Sequence, residues 1–397
     1  MAGKQNRYIL ILACATFLFF GMATAGIGPV LPELANNANS SMTAIGGVLS
    51  ALFLGAFISN LVTGPLCDRI GHKKVLITSL IVLALGFIAF TTTRSLWLIL
   101  GLTFIAGLGH GAVDLTTNLL VARVFEGKNV TVLNMLHFFF GLGAFSGPAM
   151  ISLSLKFTGS GLVILWISAA AMVVIAVFYS VIKGLPTVKV QTQDHKPASS
   201  VYRSRLIWVF GLLLLLHVGV ENGMGGWTTT YTQATTGAKI EIGALLSAGF
   251  WGLLTIGRLA GAAIGIKLSP QKILAICLSL SVAGGILFVI GHANLPLTVA
   301  AVLLIGFSMG AVYPTVIAII ASRYPDNPGK AVSICAALGS VGGVLIPWVQ
   351  GYIMEQQSTQ ASTWFVAVLM VVMLLIVFSL SRMLMGSHKV QTVPSLE

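Results

Sequence analysis

Apolar residues fill this chain in long runs, and short polar stretches separate the runs. A helix needs about 20 apolar residues to cross a bilayer, and twelve runs come close to or exceed that length. The strict apolar–polar alternation of membrane β-barrel strands is absent. The pattern therefore predicts an all-α integral membrane protein with twelve transmembrane helices. The predicted spans are roughly 8–32, 43–64, 75–92, 97–121, 131–153, 161–182, 206–230, 242–266, 273–291, 297–320, 331–353 and 363–385.

Composition excludes the soluble and disordered classes. Of the 397 residues, 56% are hydrophobic and only 8% are charged. A soluble domain carries about 25% charged residues, and a disordered chain is poor in hydrophobic residues. The four cysteines, Cys14, Cys67, Cys277 and Cys335, are scattered along the chain, so we expect neither a disulfide framework nor a metal site.

The basic residues predict the orientation in the membrane. With twelve spans, 18 of the 22 Lys and Arg residues fall on the side of the termini, three fall on the opposite side, and Arg258 lies inside a span. Positive loops face the cytoplasm, so we expect both termini there. The net charge of +12 then reports topology, and no nucleic-acid partner is expected. We expect a multi-pass protein of the cell membrane, specifically of a bacterial inner membrane.

The longest polar segment divides the spans into two sets of six. It covers 184–205 and indicates a cytoplasmic linker between an N-terminal bundle, 1–183, and a C-terminal bundle, 206–397.

The two halves resemble each other at a nearly constant offset. Gly21 matches Gly219 at an offset of 198, and the tripeptide at 49–51 matches that at 246–248 at an offset of 197. In span five, Leu142-Gly143 matches Leu338-Gly339 at an offset of 196. Parallel six-helix repeats with a binding site between them are one plan of secondary transporters.

The loop after span two carries the most specific motif of the chain. We expect its first glycine to let span two end against a neighbouring helix, and its second to permit a tight turn. Its aspartate, at a helix end, is placed to pair with a basic group on a facing helix. Such a latch favours an outward-facing state, because it breaks when the cytoplasmic ends part. An ordinary positive loop would explain only the basic residues. The latch residues are Gly64, Asp68, Arg69, Gly71, Lys73 and Lys74.

Apart from Arg382 at the terminal-side end of the last span, the charged residues inside predicted spans are Asp114 in span four, Glu221 in span seven and Arg258 in span eight. A carboxylate at the bilayer centre costs about 2.5–3.5 kcal/mol, so such residues usually mark a proton or ion path. The alternative is a protonated acid in a hydrogen bond between helices. Arg258 is a candidate gating residue, although a side chain near the helix end can also extend to the membrane surface.

Polar residues on spans four and five predict a ladder. His110, Asp114 and Asn118 recur every four residues and share one helix face, as do Asn134 and His137 on span five. If the two spans are antiparallel neighbours, Asp114 faces His137, and Asn118 faces Asn134 one turn nearer the cytoplasm. The ladder by itself indicates a polar substrate or a cation.

Span seven adds a second polar group. His217 and Glu221 are four residues apart, and Asn222 and Trp227 follow. Amides bind vicinal hydroxyls, and an aromatic ring stacks on a sugar, so these residues suit a polyol cavity. Trp227 is equally compatible with an anchor at the membrane surface. The candidate substrate-binding residues of spans four, five and seven are His110, Asn118, Asn134, His137, His217, Asn222 and Trp227.

The loop motif Gly64-x3-Asp68-Arg69-x-Gly71-x-Lys73-Lys74 resembles the signature of the major facilitator superfamily. Stretches around Asp114, His137 and Glu221 further resemble its fucose–galactose–glucose:proton symporter family. The resemblance implies two six-helix bundles, alternating access and a hexose-like substrate with a co-transported cation. It also implies cation coupling at Asp114 and Glu221 and sugar contacts from Asn118, Asn134 and His137. Only the resemblance points to sugar.

Other functions find less support in the sequence. Gly143-x3-Gly147-Pro148 also resembles part of the antiporter signature, so export of drugs or an amphiphilic, lipid-like solute is the rival hypothesis. Gly306-x-Ser308-x-Gly310 matches a hydrolase motif but lies inside a span, so we expect no enzyme. A receptor would need an extramembrane domain, whereas the longest polar segment is the linker 184–205, so we expect no receptor. We expect a monomer without metal or cofactor, driven by a proton gradient or, alternatively, a sodium gradient.

Overall fold

The computed structural model describes residues 2–125, 129–182, 203–265, 267–324 and 328–388. These residues form helices and connecting turns, and twelve stretches are long and apolar enough to cross a membrane, which confirms the predicted fold class. The predicted linker, 184–205, lies outside the described residues as far as position 202. The helices are α1 Ala2–Asn37, α2 Met42–Ile70, α3 His72–Thr92, α4 Leu96–Val124, α5 Asn129–Thr158, α6 Leu162–Val181, α7 Arg205–Thr236, α8 Ile240–Ile264, α9 Pro270–Ile290, α10 Leu295–Met309, α11 Val312–Arg323, α12 Pro328–Gln356 and α13 Thr359–His388.

Span ten consists of two helices, α10 and α11, where the sequence predicted one. Pro314, two residues into α11, explains the break. Proline has no N–H, so the carbonyl of Gly310 loses its partner four residues ahead. The helix is interrupted at Gly310 and Ala311 and restarts at Val312.

The helices of each half pack in the same pattern. In the first half, α1 contacts α5 and α2 contacts α4; in the second, α7 contacts α12 and α8 contacts α10. Glycines make the closest approaches. A methyl group added to Gly107 would overlap the carbonyl oxygen of Leu52, and one added to Gly306 would overlap that of Phe250. Because these positions correspond at offsets of 199 and 198, the sequence repeat is also a repeat of packing.

The packing corrects the repeat alignment in span five. Gly143 of α5 approaches the carbonyl oxygen of Leu18, and Gly342 of α12 approaches that of Leu215 in the same way. Gly339, the predicted counterpart of Gly143, instead faces the side chain of Val218. Glycine is frequent in both helices, so a match of residue type alone gave the wrong register.

The Gly107 contact leads to a stability prediction. Gly107→Ala should lower the thermal stability of the purified protein, because the methyl group must push α4 away from the backbone of α2. Gly101→Ala on the same helix is the matched control. No neighbouring atom lies within 4 Å of an added Cβ there, so alanine should be neutral or slightly stabilising. Equal melting temperatures for the two variants would contradict this account of the packing.

The two halves meet near one side of the membrane. We call the side of the chain termini the terminal side and the opposite one the far side. The Ser50 hydroxyl on α2 donates to the Val344 carbonyl at 2.7 Å, and the Ser152 hydroxyl on α5 donates to the Glu241 carbonyl at 2.8 Å. The amide of Thr43, in the first turn of α2, donates to the Glu355 carboxylate. These contacts lie towards the far-side ends of their helices, and we refer to them as the far-side seam.

The orientation in the membrane can be tested by cysteine labelling. With the native cysteines replaced, cysteines at positions 156 and 239 should react with an impermeant thiol reagent added to intact cells, because the far side is expected to face outwards. A cysteine at Lys196, in the predicted linker, should react only after permeabilisation. External labelling at position 196 would overturn the predicted topology.

Candidate functional site

Glu221 lies at the centre of a buried charge cluster in the second half. Its carboxylate is 3.1 Å from the His217 Nε2, one turn earlier on α7, and 3.2 Å from the Arg258 Nη2 on α8. His217 is fully buried, whereas about a quarter of the Arg258 side chain is exposed. The guanidinium therefore points to α7, and extension of Arg258 to the membrane surface is the wrong interpretation. We call these three residues the charge cluster.

Asp114 has a different environment in the first half. Its carboxylate accepts a hydrogen bond of 3.0 Å from the Nδ2 of Asn118, one turn later on α4. The shared helix face predicted from the spacing of four is therefore present. Asn118 is the only side chain among the described residues that hydrogen-bonds the Asp114 carboxylate, and it is neutral, in contrast to the basic partners of Glu221.

The predicted ladder between spans four and five is wrong for His137 of span five. The ring of His137 packs edge-on against Phe17 of α1 at 5.6 Å between centroids, and the part of the chain described here shows no hydrogen bond between His137 and Asp114. The Asn134 side chain lies outside the described residues. Helix α4 packs mainly on α2 and α3, whereas α5 packs on α1 and α8.

Glycine rows explain these neighbours. Gly107 and Gly111 of α4 approach the backbone of α2, and Gly143 and Gly147 of α5 approach that of α1. Within a bilayer, close van der Waals packing drives helix association, and small residues decide which helices approach most closely. A short loop joins α4 to α5 without making them partners.

His110 is buried between α4 and the helices α1 and α2. Its ring lies 4.4 Å from that of Phe20 and 6.1 Å from that of Phe53, measured between centroids. Neither ring nitrogen has a hydrogen-bond partner among the described residues. An unpaired imidazole at this depth is available to a ligand or a water molecule.

Tyr313 is a candidate site residue that sequence reasoning missed. It lies at the start of α11, just after the break in span ten, and its ring is 6.4 Å from that of His217. The repeat offered a signal, because an offset of 199 makes Tyr313 the counterpart of Asp114.

Trp227 is part of the far-side seam. Only 1% of it is exposed, and its indole Nε1 donates to the Pro347 carbonyl at 2.8 Å. Methyl groups added to Gly46 or Gly351 would overlap its ring. A role as a membrane-surface anchor is therefore wrong. To stack on a substrate, the ring would first have to leave its position between Gly46 and Gly351.

A small cavity lies between the halves, with walls from α1, α2, α7 and α8. Asn222, a predicted binding residue, lines it together with Thr24, Phe53 and Trp251. The cavity has room for about one water molecule, so it is far too small for a whole sugar. Sequence reasoning had not selected Thr24, Phe53 or Trp251.

The loop between α2 and α3 has the predicted turn. Gly71 has a φ of 88°, which favours glycine, and its amide donates to the Cys67 carbonyl at 2.9 Å. The Lys73 Nζ donates to the carbonyls of Ser180 and Ile182, at the end of α6. Lys73 thus binds a helix C-terminus within its own half, which favours a cation.

Other parts of the latch prediction fare differently. No neighbouring atom would lie within 4 Å of a Cβ at Gly64, so its predicted close approach to another helix is wrong. Arg69 and Lys74 are exposed. The Asp68 side chain lies outside the described residues, and its latch role stays a prediction.

Twelve spans in two repeated halves, with buried polar groups where the halves meet, define a membrane transporter. The chain belongs to the Major Facilitator Superfamily, whose family model matches residues 12–264 and 228–391. It is therefore a multi-pass membrane protein of a family of transporters, and it is not an enzyme.

Individual relatives are distant but cover most of the chain. The Sodium-dependent glucose transporter 1 of Danio rerio is 22% identical over 389 residues, which cover 89% of this chain and 65% of that protein. The Glucose/galactose transporter of Brucella abortus is 26% identical over 380 residues, or 88% of each chain. Among solved structures, the nucleoside transporter NupG aligns with a TM-score of 0.81 at 15% identity, covering 94% of this chain and 99% of that one. This last similarity concerns the fold alone.

Proposed function

We propose that this protein takes up a hexose-like sugar together with a proton. The observation that carries the proposal is that each half holds a carboxylate inside the membrane on polar partners: Asp114 accepts from Asn118, and Glu221 pairs with His217 and Arg258. A site shared by two halves can couple binding to their relative movement. The names of the glucose and galactose transporters among the relatives support sugar as the substrate class.

The two carboxylates have different roles in this proposal. Asp114, bonded to the neutral Asn118, takes up and releases the proton. Glu221 is held by Arg258 and His217, and substrate binding rearranges this charge cluster, with Arg258 controlling the opening. Sodium is the alternative cation, because carboxylate and amide oxygens are also ligands for hard cations.

The remaining candidate residues contribute to substrate binding as the halves move. Asn222 lines the cavity between the halves, and His110 and His137 pack on rings of α1, a helix that also lines this cavity. Asn134 lies outside the described side chains and keeps its predicted role, and Trp227 contacts the substrate only when the far-side seam opens.

The position of the far-side seam supports alternating access as the transport mechanism. If the termini are cytoplasmic, the far side faces outwards, and the closed far-side seam belongs to an inward-facing state. Transport then requires the contacts of Thr43, Ser50 and Ser152 to break while the terminal side closes. The Asp68 latch would stabilise that second state.

The rival hypothesis is export of drugs or a lipid-like solute. The packing of span five does not support it. Gly143 and Gly147, which suggested an antiporter signature, both pack against the backbone of α1. Their role in helix packing needs no antiport.

Uptake into proteoliposomes tests the proposed function. We expect radiolabelled glucose, galactose or fucose to accumulate against its gradient when the outside is acidified, and to stop accumulating when a protonophore is added. Accumulation driven only by a sodium gradient would show that the coupling cation is sodium and not a proton. Failure of all three hexoses under both gradients, in liposomes holding folded protein, would refute sugar uptake.

A further inference from the structure

The cavity between the halves lies on the pseudosymmetry axis of the molecule. Thr24 and Asn222, from α1 and α7, are related by the repeat offset of 198, and so are Phe53 and Trp251, from α2 and α8. The pairs are equivalent in position but differ in chemistry. The first half contributes a phenyl ring and a hydroxyl, whereas the second contributes an indole and an amide.

Trp251, which lines this cavity, carries an unused hydrogen-bond donor. The residue is 6% exposed, and its Nε1 has no hydrogen-bond partner among the described residues. A buried donor left unpaired destabilises the protein, so such a group usually serves a ligand or an ordered water molecule.

Asn222 and Thr24 bring acceptors. The Asn222 Nδ2 donates to the Val218 carbonyl at 2.8 Å, and the Thr24 hydroxyl donates to the Phe20 carbonyl at 2.8 Å. These bonds use donor hydrogens of both side chains. The amide oxygen of Asn222 and the lone pairs of the Thr24 oxygen remain to accept from a ligand.

The indole is held firmly in place. A methyl group added to Gly225 would overlap its ring, so a side chain at this position of α7 would displace the indole. The Ser247 hydroxyl, one turn earlier on α8, donates to the Gly225 carbonyl at 3.2 Å, and the ring of Phe250 packs edge-on at 5.4 Å. The donor is therefore already oriented when a ligand arrives.

We infer that this cavity binds one hydroxyl group of the substrate. Trp251 donates a hydrogen bond to the hydroxyl oxygen, and Asn222 or Thr24 accepts a hydrogen bond from the hydroxyl. We call the cavity the hydroxyl pocket. One donor beside two acceptors suits a group that both donates and accepts, and disfavours a carboxylate or phosphate. Room for about one water molecule is room for one hydroxyl. The inference rests on the proposed function, since it places a specific part of a sugar.

Transport of monodeoxy sugars by the full-length protein in proteoliposomes tests the hydroxyl pocket. Each hydroxyl of the best hexose is replaced in turn by hydrogen, and the KM is measured. We expect the wild-type protein to show a KM about tenfold higher for one deoxy analogue, because the polar groups of the pocket then lose their partner.

Trp251→Phe should raise the KM for the parent hexose about tenfold while changing kcat less, since it removes the N–H and keeps an aromatic ring. It should also lose the discrimination against that one analogue. Thr24→Val, which removes an acceptor without changing the side-chain shape, should weaken the same discrimination and serves as a second variant. Trp364→Phe, at an exposed position on α13, is the matched control and should behave as wild type.

The possible failures are distinguishable. Equal KM values for Trp251→Phe and wild type, or full discrimination retained by both variants, would refute the hydroxyl pocket while sugar transport stands. Absence of hexose uptake by the wild-type protein would refute the proposed function and the pocket with it.

Discussion

Asp114→Asn is expected to lose proton-driven uptake and to retain exchange of substrate across the membrane at equal concentrations. The amide has nearly the shape of the carboxyl group and still hydrogen-bonds Asn118, so packing should survive. It carries no proton to release. Exchange needs no net proton movement, whereas accumulation against a gradient does.

Two assays on the same proteoliposomes separate these steps. Uptake driven by an acid exterior should fall to the level of empty liposomes, while counterflow of labelled sugar should stay within a few-fold of wild type. Glu241→Gln, in the first turn of α8, is the control, because only the backbone carbonyl of Glu241 takes part in the far-side seam and the substitution leaves it in place. Full gradient-driven uptake by both Asp114→Asn and Glu221→Gln would show that neither acid carries the proton.

Arg258→Met is expected to destabilise the protein strongly. It leaves the Glu221 carboxylate buried with His217 as its only remaining basic partner in the charge cluster. Removing one member of a buried ion pair costs about 3–5 kcal/mol, and we expect about 3 because Arg258 is partly exposed. Transport should fall as well, because Glu221 loses a group that orients it.

A double-mutant cycle shows whether this loss comes from the pair itself. Glu221→Gln combined with Arg258→Met removes both charges and should recover most of the stability lost by Arg258→Met alone. The control is Arg94→Met in an exposed far-side loop, which should unfold as wild type does. Equal melting temperatures for Arg258→Met and wild type would show that the pair does not stabilise the fold.

The partners of Arg258 and His137 show where sequence reasoning reached its limit. Within one helix, the spacing of four correctly placed Asn118 beside Asp114 and His217 beside Glu221. Between helices, chain order suggested that His137 faces Asp114, whereas the ring packs on Phe17. Helical periodicity is a local property, but the choice of a neighbouring helix depends on how two complete surfaces fit.

The sequence by itself determined the twelve spans, the repeated halves, the turn at Gly71 and the identity of the charged residues inside the membrane. Each follows from length, period, charge or backbone freedom within a short stretch of chain. Only the tertiary structure decided that Arg258 reaches Glu221, that Trp227 fills the far-side seam, that Tyr313 lies beside His217, and that Trp251 lines the cavity between the halves. Those contacts join residues far apart in sequence. They depend on glycines that let particular helices approach, because lipid gives apolar helix faces little other reason to prefer one partner.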